Sequence, residues 1–227
     1  MKSLQNAFII FFLLNSGCVF AQVKFSLATD ISILHNFDEQ QKFTVIGQTV
    51  LPQWHFDKKS TMYAWLTYHS NGKYKNSLTA TAKSPATQPQ TISFVNQSEM
   101  RLRQISIGYK RYFIGGFDNL EKFNLYAAGG FGLIFGSVSN TFSPNIDTAL
   151  YTIQNNIVSG TGDFKRLTFD ITGGVEFPVS YELYIYSEIR MHIPMTDYPS
   201  NYLVKNSNAP FLGGINLGIR VLFAADQ

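Results

Sequence analysis

The dominant pattern in the chain is a period of two. Between 23 and 33, Val23, Phe25, Leu27, Ile31 and Ile33 share one parity, and Lys24, Ser26, Asp30 and Ser32 share the other. Between 166 and 177, Leu167, Phe169, Ile171, Val175 and Phe177 alternate with Thr168, Asp170, Thr172 and Glu176. Between 182 and 193, Leu183, Ile185, Ile189, Met191 and Ile193 alternate with Tyr184, Tyr186, Glu188, Arg190 and His192. Between 213 and 223, Ile215, Leu217, Ile219, Val221 and Phe223 alternate with Asn216, Gly218 and Arg220. Neighbouring side chains on a strand point to opposite faces, so each segment is a strand with one apolar and one polar face. The spacing predicts eight strands, at about 23–35, 41–54, 60–70, 98–113, 122–138, 164–178, 181–194 and 211–223. Most exceed the strand length of soluble domains, about 5–6 residues, and reach the length, about 9–11, at which a tilted strand crosses a bilayer.

The connections have their own rhythm. The second, fourth and sixth are short: 55–59, 114–121 and 179–180. The third, fifth and seventh, at roughly 71–97, 139–163 and 195–210, are long and rich in Asn, Ser, Thr, Gln and Pro. The first, near 36–40, is short and breaks the rule. Tight turns at one end and long loops at the other are the connectivity of a barrel in an outer membrane. The fold expected is all-β: an eight-stranded antiparallel transmembrane β-barrel with up-and-down meander topology.

Composition changes the picture at the N-terminus. Lys2, the apolar run Phe8–Leu14 and the small residues before Gln22 predict a cleaved secretory signal over 1–21, leaving 22–227 as the barrel domain. Cys18 has Asn15 three residues before it, where lipoprotein sites prefer Leu, so lipidation is not expected. Cleavage after Ala21 removes the single cysteine, so no disulfide is expected. It also removes Lys2, leaving 17 basic against 15 acidic residues, and with no basic cluster no nucleic-acid partner is expected. No apolar run is long enough for a transmembrane helix.

The polar face then carries the argument. Asp170, Glu176, Glu188, Arg190 and Arg220, with Lys24 and Asp30, would simply be solvated on a soluble barrel whose apolar face points inward. In a membrane barrel they line a narrow lumen and must pair. Asp170, Glu176, Glu188, Arg190 and Arg220 are therefore expected to form a structural lumen charge network. Aromatics near strand ends (Trp54, Phe56, Tyr112, Phe113, Phe123, Phe177, Tyr181 and Phe211) are expected to form interface girdles.

A signal peptide, eight long alternating strands and a last strand that is apolar at every second position to Phe223 resemble the small outer-membrane β-barrel superfamily of Gram-negative bacteria. That superfamily includes the OmpA-type transmembrane domain and the OmpX-like and OmpW-like proteins. The tail Ala224–Gln227 departs from the usual ending on the aromatic itself. The Phe20-Ala21-Gln22 context is similar to signals of Bacteroidetes. The resemblance implies a location in the outer membrane, contact with the lipid bilayer and lipopolysaccharide, and insertion by the barrel-assembly machinery. It implies no single activity.

Candidate chemistry is sparse. The glycine-rich stretch 127–136 lies within a strand pattern with no helix after it, so it reads as barrel wall and not as a phosphate loop. Glu188, Arg190 and His192 share a face, but no second histidine or cysteine stands at ligand spacing, so neither a metal site nor a cofactor is expected. In 98–113, Met100 and Leu102 have one parity and Ile105, Ile107 and Tyr109 the other. A bulge near Arg103-Gln104 would reconcile them; alternatively Arg101 and Arg103 project outward above the apolar band, where they could touch lipopolysaccharide phosphates, and the plainer reading makes them lumen or rim charges.

Tyr68-His69-Ser70-Asn71-Gly72 resembles the His-x-Ser-Asn stretch of outer-membrane phospholipase A and lipid A deacylases, where histidine is the base and serine the nucleophile. Here the spacer is missing, and a regular strand sends His69 and Ser70 to opposite faces. No enzyme is expected. The main expectation is a monomeric structural or interaction barrel, its lumen occluded, meeting a surface ligand or envelope protein through its outer loops. The alternatives are a small-solute channel and a lipid hydrolase using His69 and Ser70.

Overall fold

The computed structural model describes residues 24–223; the expected signal segment and the tail 224–227 lie outside the described residues. The barrel is built from β1 (Lys24–Asn36), β2 (Phe43–Asp57), β3 (Ser60–His69), β4 (Gly72–Ala82), β5 (Thr91–Ile114), β6 (Asn124–Ser143), β7 (Tyr151–Ile153), β8 (Gly160–Pro178), β9 (Leu183–Pro194) and β10 (Leu212–Phe223). Eight of these close a ring in the order β3-β2-β1-β10-β9-β8-β6-β5, and β5 returns to pair with β3. All pairings are antiparallel, and closure leaves the ring without an open edge.

The ring strands match the eight expected from the period-two pattern, but the wall is not of uniform height. β9 and β10 have 12 residues each, about what a bilayer crossing needs. β5 has 24 residues, which spans about 80 Å fully extended. β6 and β8, with 20 and 19 residues, are nearly as tall.

The segment 71–97 is therefore not the loop expected from its composition. It is a hairpin in which β4 pairs with the first half of β5, from Gly72↔Met100 to Thr81↔Thr91. Only 83–90 remains as its tip. The segment 139–163 is likewise partly strand: β6 runs to Ser143, β8 starts at Gly160, and the short β7 pairs with β4. Ser, Thr, Gln and Lys on the outer face made these segments look like loops. They face water, so Val95 is the one outward apolar residue on the upper halves of β4 and β5.

The extension also explains the parity conflict in β5. No bulge occurs near Arg103-Gln104; the register with β6 is unbroken from Val95 to Tyr112. In the lower part of the strand Ile105, Ile107 and Tyr109 point outward and are exposed, while Gln104 and Ser106 are buried inside. In the upper part Met100 and Leu102 are buried inside, while Arg101 and Arg103 are exposed. The apolar face switches because the surroundings switch. Against lipid the outer face must be apolar, and above the lipid the inner face forms an ordinary hydrophobic core.

The other walls repeat this. Phe131 and Leu133 point outward on β6, but Ile134, Val138 and Phe142 point inward. On β8, Leu167 points outward and Phe164 inward. Inward residues of the upper wall, with Leu34, Phe43, Leu203, Val204 and Leu212, form one apolar cluster over the barrel mouth.

Candidate functional site: the lumen, its cover and the outer wall

At the lower end, Arg220 on β10 grips Glu176 on β8 with two bonds, Nη2 to Oε1 at 2.6 Å and Nε to Oε2 at 2.9 Å. This is the paired fork geometry that suits guanidinium and carboxylate. Lys110 on β5 adds a second cation 3.7 Å from Glu176, and Asn124 donates to Oε1 at 3.3 Å. Aromatic rings pad the charges: Arg220 lies over Tyr184 at 3.9 Å and Lys110 over Tyr126 at 3.6 Å. Phe117, from the turn between β5 and β6, folds up into this layer. Its carbonyl accepts from Arg220 at 2.7 Å, and its ring stacks on His55 at 4.3 Å.

In the middle layer Arg190 on β9 meets Glu188 and Asp30, the latter at 3.3 Å, and lies over Trp65 at 4.1 Å. Asp30 also accepts from Tyr186 and Asn216, each at 3.0 Å. Tyr126 donates to Glu188 at 2.9 Å. The two layers match in charge: Asp30, Glu176 and Glu188 stand against Lys110, Arg190 and Arg220.

Asp170 forms a third, upper layer. It is met by His192 Nδ1 at 2.7 Å, Ser106 Oγ at 2.5 Å, Thr168 Oγ1 at 3.0 Å and Gln104 Nε2 at 3.0 Å. Ser106 donates to the carboxylate and not to the imidazole, so this layer contains no activated nucleophile. No group of three or more His, Cys, Asp or Glu able to hold a metal occurs among the described residues.

The structure thus brings Arg220 to Glu176 and Arg190 to Glu188, while Asp170 is served by His192 and no arginine reaches it. Lys24, read from its parity as a lumen residue, lies instead at the lower rim, half exposed and 3.7 Å from Asp118. Tyr112, expected in the aromatic girdle, is buried in the lumen beside Lys110. The sequence reading missed Lys110 itself. Its parity with Gln104 and Ser106, against Ile105, Ile107 and Tyr109, carried the signal. Arg166 was also missed because it sits above the lipid boundary, where charges ordinarily face water. Arg166 is buried and holds the loop 195–211 through the Ala209 carbonyl at 3.0 Å and Asn206 Oδ1 at 3.3 Å. That loop carries Leu203 and Val204 into the apolar cluster over the mouth.

His69 and Ser70 occupy opposite faces. His69 is buried in the lumen, and neither ring nitrogen has a hydrogen-bond partner. Ser70 is exposed and accepts from Ile46 N at 3.1 Å. Asn71 accepts from Arg101 Nε at 3.0 Å and donates to Glu99. Gly72 leaves room for the Phe43 ring, which any Cβ there would strike. The stretch is the joint where the strand leaves the closed ring and continues as β4.

Gly47 performs the same service for His69: a methyl there would collide with the His69 ring and Ser32 Oγ. Gly47→Ala is expected to destabilise the barrel by about 1–3 kcal/mol through overpacking. In a His69→Ala background the cost should fall by more than half, as urea midpoints in detergent micelles will report. Equal costs in both backgrounds would remove this account of the histidine.

On the outer wall, Arg101, Arg103 and Lys165 border a shallow depression of about 270 Å³ with Phe135, Ser137 and Asp163. They lie directly above the lipid-facing row Leu66, Ile105, Leu133 and Leu167, whose members are register neighbours across β3, β5, β6 and β8.

No protein-family model matches the sequence, and no curated protein does either. Solved structures do match. Neisserial surface protein A aligns with a TM-score of 0.54 at 13% identity, over 88% of this chain and 97% of that one. The N-terminal β-barrel domain of Pseudomonas aeruginosa OprF aligns at 0.45 and 10% identity, over 89% and 100%. Ail, the attachment invasion locus protein of Yersinia pestis, solved with the heparin analogue sucrose octasulfate, aligns at 0.45 and 10%, over 88% and 97%. A closed ring of eight antiparallel strands, apolar outside and charged within, gives this chain the fold of the small outer-membrane β-barrel proteins.

Proposed function

We propose that the barrel is a non-enzymatic monomer with an occluded lumen, acting through its outer surface and its extracellular extension. The observation that supports this reading is the burial of inward-pointing side chains at each level of the barrel. The Glu176 layer and Phe117 stand at the bottom, the Arg190 and Asp170 layers in the middle, and the apolar cluster with Leu203 and Val204 at the top. Water-filled porins use about 16–18 strands, and a ring of eight leaves an interior that side chains fill. The contact surfaces are the β4–β5 hairpin within 71–97 and the segment 139–163, which rise above the lipid as a rigid wall. They offer a surface ligand or an envelope protein Ser, Thr, Gln and Lys on ordered strands, so little conformational entropy is lost on binding. Insertion by the barrel-assembly machinery belongs to the same proposal and rests on the resemblance to outer-membrane barrels.

Planar-bilayer recording of the purified barrel tests the occluded lumen. The expected result is the absence of stable unitary steps. Reproducible steps that disappear when the loop 195–211 is cross-linked to the wall would replace this reading with a small-solute channel. Phospholipid hydrolysis abolished by His69→Ala would replace it with an enzyme.

A further inference from the structure

We infer that the outer face of the tall wall docks the phosphorylated headgroup of an outer-leaflet glycolipid, with Arg103, Lys165 and Arg101 as the phosphate contacts. The inference rests on the membrane placement and is independent of whether the lumen conducts.

Position is the first support. Two residues up each strand from the lipid-facing row Leu66, Ile105, Leu133 and Leu167 stands the row Tyr68, Arg103, Phe135 and Lys165. The change from aliphatic to aromatic and basic side chains is therefore one step high, and it falls where acyl chains give way to headgroups. Arg103 lies over the Tyr68 ring at 5.8 Å and Lys165 over the Phe135 ring at 5.8 Å. Aromatic rings at this depth and cations resting on them form an interface in which both ends of each side chain are satisfied.

Spacing is the second. Arg103 and Lys165 flank Phe135 on strands either side of β6, so their Cα atoms stand about 10 Å apart. Two long cationic side chains can converge on one phosphate across that gap. Arg101, the next outward residue up β5, faces the same depression across Ser137. Its Nε is already oriented by Asn71, which leaves the outer nitrogens of the guanidinium for an acceptor. Asp163 borders the far side of Ser137, so the anion seat belongs to the Arg103–Lys165 side.

One-sidedness is the third. Outward-facing strand cations above the lipid boundary occur only on the tall wall among the described residues: Arg101, Arg103, Lys165, and higher up Lys73 and Lys75. On the short side, the lysine and arginine residues of β1, β9 and β10 are Lys24 at the lower rim and the lumen-facing Arg190 and Arg220, and β2 has none. Bulk attraction to an anionic membrane needs charge all round. On the short side the upper exposed cations lie off the strands, Lys42 before β2 and Lys205 at 3.4 Å from Asp38, so the strand-borne cations gather on one face; continued upward by Gln97, Glu99, Ser139 and Thr141, that face suits one glycolipid with its phosphates low and its sugars against the polar wall.

The test uses the refolded mature barrel in detergent, with native mass spectrometry counting bound lipopolysaccharide. R101Q/R103Q/K165Q is expected to lose about tenfold in affinity. The charge-matched variant K58Q/K59Q/K122Q, at the periplasmic end, is expected to keep wild-type affinity. Chemically dephosphorylated lipopolysaccharide should bind the wild type as weakly as intact lipopolysaccharide binds the wall variant. Equal losses in the two triple variants, no loss in either, or equal binding of the dephosphorylated glycolipid or of phosphatidylglycerol would each overturn the inference. Should the wall triple variant fail to refold, R103Q and K165Q singly are each expected to lose about threefold, and undiminished binding by both is the overturning result. The bilayer recordings report on the lumen alone, so failure there leaves this outcome untouched.

Discussion

Glu176→Ala is expected to lower the unfolding free energy of the barrel by about 3–5 kcal/mol, the largest effect of any single substitution considered for this chain. The carboxylate is fully buried, held by two bonds from Arg220 and approached by Lys110 at 3.7 Å. Removing it leaves two cations facing each other with no counter-charge, shielded from water by Phe117 below and the Arg190 layer above. Desolvation of an unpaired buried charge costs several kcal/mol, and here two are left at once. Arg190→Ala is expected to act in the same direction, because Asp30 and Glu188 would lose the cation that separates them. The discriminating variant is Glu176→Leu combined with Lys110→Met and Arg220→Met. It removes every charge of the lower layer and should recover most of the loss, since apolar replacement of a whole buried network is often neutral or stabilising. Urea-induced unfolding in micelles measures all of these. A wild-type midpoint for Glu176→Ala would show that the lower layer is hydrated and that its pairs do not hold the barrel.

Ile107→Arg carries the second large effect, about 2–4 kcal/mol, the cost of an arginine near the middle of the lipid-facing wall. Ile107 is exposed on the outer face of β5, four residues below Arg103 on the same parity. Gln97→Arg, six residues above Arg103 on the same strand and face, should change stability by no more than about 0.5 kcal/mol, because that position meets water. Inside, the order reverses. Leu102→Ala, in the core of the extension, should cost about 2–5 kcal/mol in the local opening of the upper wall, which hydrogen exchange of β4 and β5 would show. Folding into vesicles measures the outward pair. If Gln97→Arg were as costly as Ile107→Arg, the lipid boundary assigned from the parity switch would be misplaced.

The ring itself was legible because lipid-facing positions repeat every second residue for ten residues or more, with no counterpart in loops. Each strand of the ring was found with ends within a few residues, except where strands run on above the membrane. There the outer side chains are Ser, Thr, Gln and Lys, the composition of loops, and the apolar signal moves to the other parity. Met100 and Leu102 against Ile105 and Ile107 displayed that move in one short stretch. It admitted a bulge, or arginines projecting outward above the apolar band, or charges at the lumen or rim, and the unbroken register with β6 removes the bulge.

The sequence by itself determined that the membrane-crossing strands have two unlike faces, and it put Asp30, Asp170, Glu176, Glu188, Arg190 and Arg220 together on the polar one. It did not determine which charges meet. Arg220 reaches Glu176 across the lumen, and Arg190 meets Asp30, which lies 160 positions earlier in the chain. Asp170 goes to a histidine and not to an arginine. Those partnerships depend on the register of every strand pair around the ring and on the direction each side chain takes across the interior. The same holds for Arg166, Phe117 and the loop carrying Leu203 and Val204: each is brought to the lumen by chain closure, a long-range property that no local pattern encodes.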